Sequence, residues 1–223
     1  MIFNILHLFI EFKIHNYLLA NILQNKQKNN EMNSREKILS AVKNNKPTFS
    51  PLPEIPLFER KDLDLIATYK ETLQKVGGQI ADIEDINSLS KVILETYKDC
   101  RTICSLVPNV HGNLDISTIT DPHDLRGVDL AIVQGSFGVA ENAAIWLPES
   151  ALVHRAIAFI TQHLAIVLEK HQLVWNMHEA YKKLEIGNNG YGVFLAGPSK
   201  TADIEQALVI GAHGARSLLV CLV

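Results

Sequence analysis

An α/β fold, three layers deep around a mainly parallel sheet, is what this sequence predicts, and three observations predict it. Short apolar runs alternate with helical patterns along most of the chain. The longest runs, DLAIVQ (129–134), HLAIVL (163–168) and SLLVCL (217–222), are continuously apolar rather than alternating. That suits strands covered on both faces. The totals agree: 223 residues, 47% hydrophobic and 20% charged, suffice for a sizeable core and argue against disorder.

The elements follow in order. Residues 1–31 carry no basic leader, and His7, Glu11, Lys13 and His15 interrupt their apolar residues. The stretch is therefore a poor signal peptide and a poor membrane span, which needs roughly 20 mainly apolar residues. It is expected to be an extension, non-native, disordered or helical, ahead of Met32. Asn33 and Glu36 then form a capping pair for a helix to about Val42. Pro47, Pro51, Pro53 and Pro56 make the rest of 32–60 an extended connector. The main domain is placed at 61–223.

A helix is predicted over 61–76, with Leu65, Tyr69, Leu73 and Val76 on one stripe and Gly77-Gly78 stopping it. Further helices are expected at 87–98, 175–185 and 200–212. Strands are expected at 79–83, 101–106, 129–134, 143–147, 163–168, 192–196 and 217–222. In the helix at 200–212, Ile204, Ala207, Leu208 and Gly211 share a face that would pack on the sheet. His213 would cap the last carbonyls of that helix.

Charge and cysteine usage exclude several function classes. The net charge is −3 with no basic block, so nucleic acid is not an expected partner. Cys100, Cys104 and Cys221 make neither a disulfide framework nor a metal cage, and the odd count favours a reducing, cytoplasmic compartment. No metal and no cofactor are expected. Cys104 reads as a core residue.

Two stretches carry candidate chemistry. The loop QGSFGVAEN (134–142) follows a strand, where open sheets bind ligands beyond the strands' carboxyl ends. Gly135 and Gly138 would let the backbone turn sharply there, with Ser136 and Asn142 beside them. Glu141 is either a capping carboxylate bonded to amides or a site carboxylate. The second stretch, GPSKTADIEQALVIGAHGAR (197–216), sets Ser199, Lys200 and Thr201 between a strand and a helical pattern, like a phosphate loop. Aligned to Gly-x-x-x-x-Gly-Lys-Ser/Thr, however, it puts Phe194 and Ser199 at the two glycine positions, so the nucleotide loop fails. A modest carboxylate or phosphate site on amides near Ser199 stays open. A polar loop, DPHDLRG (121–127), offers His123 and Arg126 for acid–base work or carboxylate binding, or is a solvated loop with local ion pairs.

Residues 197–216 and the apolar run after them closely resemble the C-terminal signature of the LUD-domain family, of the lactate utilisation protein C type. VDLAIVQGSFGVAENAAIWLPE (128–149) and the segment 155–184 continue the resemblance. Asn142-Ala143 stands where the family usually has Thr-Gly, and Ala215 where it has Pro. The resemblance implies a fold similar to the sugar-phosphate isomerase and CoA-transferase group. It further implies a component of L-lactate oxidation to pyruvate, an accessory or ligand-binding subunit beside iron–sulfur partner proteins, with self-association left open. The alternative is an independent enzyme on a small acid, sugar phosphate or acyl-CoA. It would use Glu141, because Ala140-Glu141-Asn142-Ala143 is similar at its central pair to the Ser-Glu-Asn-Gly turn of class I CoA-transferases. A sensor domain that binds a small molecule without turnover is the third reading.

Overall fold

The computed structural model describes residues 33–56, 58, 60, 62–108, 110–184, 190–202 and 208–223. The expected extension, 1–31, lies outside them. The chain divides into two compact units, Met1–Ile55 and Pro56–Val223, a division inside the proline-rich connector.

In the first unit, helix α1 (Ser34–Asn44) starts as expected. Asn33 Oδ1 accepts from the Glu36 amide at 2.9 Å, and the Glu36 carboxylate accepts from the Asn33 amide at 3.1 Å.

The second unit opens with α2 (Leu65–Lys75), capped by Asp64 and stopped by Gly77 at φ +88°. There follow β1 (Gln79–Asp82), α3 (Leu89–Thr96), β2 (Ile103–Ser105), β3 (Leu130–Gln134), β4 (Phe137–Val139) and β5 (Ile145–Pro148). The chain continues through α4 (Ile157–Ile160), β6 (His163–Leu168), β7 (Leu173–Val174), α5 (Met177–Lys183) and β8 (Gly192–Leu195). It closes with β9 (Lys200–Ala202), β10 (Leu208–Ile210) and β11 (Ser217–Leu222).

The central sheet has five parallel strands in the order β1-β11-β6-β3-β2. Its strands read as continuous apolar runs because both faces are buried. Val133, Ile166 and Val220 point to one side, with Tyr69 and Leu73 of α2 and Ile157 of α4. Ile132, Val167 and Leu219 point to the other, against Leu89 and Ile93 of α3. The architecture is therefore a mostly parallel central sheet flanked by helices.

A second sheet, in the order β7-β4-β5-β8, was not visible in the sequence. It packs Ile145 and Leu147 on the central core, and its other face joins Phe137, Trp146 and Phe194 with Ala180 of α5. The chain passes from one sheet to the other at Gly135-Ser136. The Gly135 amide donates to Val167 of β6 at 2.9 Å, and the next amide, of Ser136, donates to Trp146 of β5 at 2.9 Å. A Cβ on Gly135 would lie 2.7 Å from Ile145 Cγ2, and one on Gly138 would lie 2.8 Å from methyls of Leu168 and Leu173. These glycines thus permit close packing rather than a sharp turn, since neither has positive φ. The expected loop 134–142 is in part the strand β4.

The helix expected over 200–212 is corrected. Lys200–Ala202 and Leu208–Ile210 form a two-stranded antiparallel ribbon, with Thr201 opposite Val209. β-Branched Thr201, Val209 and Ile210 favour that extended pairing, and Gly211 at φ +81° ends it in a bend. Ile204 and Ala207, half of the proposed helical face, lie outside the described residues.

Candidate functional site

The Glu141 turn joins β4 to β5. The Ala140 and Glu141 amides donate to the carbonyls of Val174 and Trp175 at 2.9 and 3.0 Å, which ties the turn to the start of α5. Glu141 Oε1 accepts from the Met177 amide at 2.7 Å. Asn142 Oδ1 accepts from the Ala144 amide at 3.0 Å, and buried Ala143 takes φ +58°, a left-handed conformation that only glycine adopts without strain. Glu141 and Asn142 are both exposed.

The sequence did not single out Asn176 and Glu179, which stand near this turn. Asn176 Oδ1 accepts from the Glu179 amide at 2.9 Å, and Glu179 Oε2 accepts from the Trp175 amide at 2.9 Å. Asn-x-x-Glu is a capping signal that could have placed the helix start at Met177 rather than Trp175. The guanidinium of Arg60 stacks 5.5 Å from the centre of the Trp175 ring, and Phe58 lies 5.3 Å from His178, ring to ring.

Ser199, Lys200 and Thr201 line a depression of about 400 Å³. Its floor is Leu164 at the start of β6 and Leu218 at the start of β11, with Phe159 and Phe194 at its sides. It therefore opens beside the amino ends of the central strands. Ser199 does not stand at a helix terminus: strand β9 follows it directly, and its own amide donates to the Ala215 carbonyl at 2.9 Å. His213, expected as a helix cap, lies in a bend and lines the same depression. Only its place 13 residues beyond Lys200, within one signature, could have suggested this.

His123 and Arg126 stand elsewhere, on a short 3₁₀ segment (Pro122–Gly127) capped by Asp121. His123 Nδ1 lies 2.7 Å from Asp121 Oδ1, with its side chain 88% exposed. Among the described residues, neither His123 nor Arg126 bonds to Glu141 or to the depression. Bonds to the His123 amide and ring hold the Asp121 carboxyl below its ordinary range.

Burial pushes the Cys104 thiol up to about 11 and the Cys221 thiol up to about 12. Among the described residues, no three His, Cys, Asp or Glu side chains gather to hold a metal, and no helix is long and apolar enough to cross a membrane. At the amino ends of β6 and β11, His163 Nδ1 and the Tyr97 hydroxyl both bond Ser217 Oγ, at 2.8 and 3.0 Å.

Residues 122–223 match the model of the LUD domain. Lactate utilization protein C of Bacillus pumilus (strain SAFR-032) is 33% identical over 90 residues, which make up 38% of this chain and 38% of that protein. The match thus spans well under half of that relative's length. Among solved structures, a DUF162-family protein from Deinococcus radiodurans superposes with a TM-score of 0.56 at 16% identity. It covers 71% of this chain and 95% of that one, a likeness of fold alone.

Proposed function

We propose, from the premise that the chain belongs to the LUD-domain family through residues 122–223, that it is a ligand-binding accessory subunit of L-lactate utilisation. The likeness to lactate utilization protein C carries this reading. Oxidising lactate to pyruvate releases two electrons and two protons, and the electrons need an acceptor. This chain's three cysteines fall short of the four thiolates that usually hold an iron–sulfur cluster. Cys104 and Cys221 are moreover buried and hard to ionise. Electron transfer is accordingly assigned to iron–sulfur partner proteins, and ligand binding to this chain.

Glu141 enters this reading as the residue that seats α5 on the turn. The competing reading, an independent enzyme with Glu141 as nucleophile, would need that carboxylate to leave the Met177 amide. The deciding experiment is an affinity capture of the tagged full chain from its native host, grown with and without lactate. Cysteine-rich iron–sulfur proteins recovered only from lactate-grown cells are the expected result. Capture of no such partner from those cells would overturn the reading.

A further inference from the structure

We infer that the depression framed by Gly197–Thr201 and His213–Ala215 binds an organic anion with an apolar body, its charged head held by Lys200 and His213. The inference rests on the ligand-binding reading above and gives it a ligand class.

The walls are built rather than incidental. The Ser199 amide donates to Ala215 at 2.9 Å and the Gly211 amide donates to Ser199 at 3.0 Å, which zips the two loops together. A Cβ on Gly214 would stand 3.0 Å from Ser199 Cβ, so only glycine lets the loops close this far without displacement. Gly197, at φ +72°, would bring a Cβ within 2.7 Å of the Val76 carbonyl oxygen at the end of α2, so this wall too is fixed.

Four polar side chains line the depression: Ser199, Lys200, Thr201 and His213. None of the four has a side-chain hydrogen bond or ion pair to a described residue, whereas Lys70 and Lys170 share Asp82 and Arg155 pairs with Glu149. No Asp or Glu stands among the described lining residues. Donors with no described carboxylate beside them, one of them the Lys200 ammonium, are complementary to an anionic head.

The size and floor give the rest of the ligand. Phe159 and Phe194 supply exposed apolar surface, above Leu164, Leu218 and Ala158, which are buried beneath it. The volume, about 400 Å³, falls within the range of small-molecule pockets, roughly 300–1,000 Å³. It matches about a dozen waters at roughly 30 Å³ each, more than a three-carbon acid would displace. A carboxylate or phosphate monoester carrying an aryl or acyl body fills both parts.

Calorimetric titration of the full chain tests this with four probes: L-lactate, L-3-phenyllactate, phenyl phosphate and inorganic phosphate. At least one aryl anion should bind at least tenfold more tightly than its small counterpart, and which one identifies the head group. K200M should weaken that binding tenfold or more, and H213N severalfold, with melting temperatures unchanged. E141Q should leave it intact. The inference is overturned if neither aryl anion saturates, if K200M and H213N bind as the wild type does, or if lactate or inorganic phosphate binds as tightly as its aryl counterpart. Loss of this site while lactate-dependent partners are still captured removes the ligand class alone. Anion binding without partners removes the lactate system instead.

Discussion

Tyr69 carries a phenolic hydroxyl into the interior of the second unit, where its side chain is 0% exposed and the hydroxyl has no hydrogen-bond partner among the described residues. Its ring lies beside Gly138, at 3.2 Å from where a Cβ would stand, in a core that includes Leu168 and Leu173. Burial without a compensating bond raises its pKa far above the ordinary value. On mutational scales an unsatisfied buried hydroxyl costs about 1–3 kcal/mol. Tyr69→Phe removes that cost and leaves an oxygen-sized void, which at about 24 cal/mol per Å³ forfeits only ~0.3 kcal/mol. The net expectation is a gain of about 1–2 kcal/mol, or roughly 2–8 °C in melting temperature for a chain of this size. Urea unfolding followed by fluorescence should show a higher midpoint with an unchanged slope. A variant less stable than wild type by more than ~0.5 kcal/mol would refute the reasoning, because the hydroxyl would then be making a bond of ordinary strength.

Three further outcomes are expected. Glu141→Gln keeps an acceptor for the Met177 amide and should unfold within ~0.5 kcal/mol of wild type, while Glu141→Ala should lose about 1 kcal/mol, as a lost helix cap does; equal losses in urea melts would contradict the capping role. His163 has its pKa lowered, chiefly by burial and secondly by Arg216, with Asp129 opposing. The unfolded chain therefore takes up that proton first: the stability is fully present above the ordinary value of 6.5 and is lost as pH falls below it toward the folded value. His163→Gln should flatten this part of the stability profile, and parallel profiles from pH 7.5 to 5.5 would count against it. Finally, a thiol reagent at pH 8 should label Cys100 in the native protein ahead of Cys104 and Cys221, which react at comparable rates only after denaturation; equal native rates would mean the two are not buried.

The legible part of the fold was the part whose signal is local and strong. Strands β6 and β11 begin and end where their apolar runs do, at 163–168 and 217–222, because every position but the first is buried whichever face it takes. The α1 cap was legible because Asn33 and Glu36 satisfy one another within a single turn. By contrast, β4 and β7 have three and two residues, too few to carry a period, and exist because β5 and each other supply their bonds. The ribbon at 200–210 was misjudged because apolar residues at helical spacing outweighed the β-branched ones, and only the cross-strand pairing shows which wins. The depression divides in the same way. Its loop residues Ser199, Lys200 and Thr201 stood within a signature, but its floor pairs Leu164 with Leu218, which become neighbours only through the parallel register of β6 and β11.

Strand β11 is the last of the described strands in sequence, yet it lies between β1 and β6 in the central sheet. On the ribosome, then, β1 waits without a partner and β6 keeps a bare apolar edge until residues 217–222 emerge. Every shorter nascent chain exposes unpaired strand edges, the surfaces most prone to join a neighbour's. The emergence of residues 217–222, rather than the appearance of any earlier strand, sets the moment at which this sheet can close.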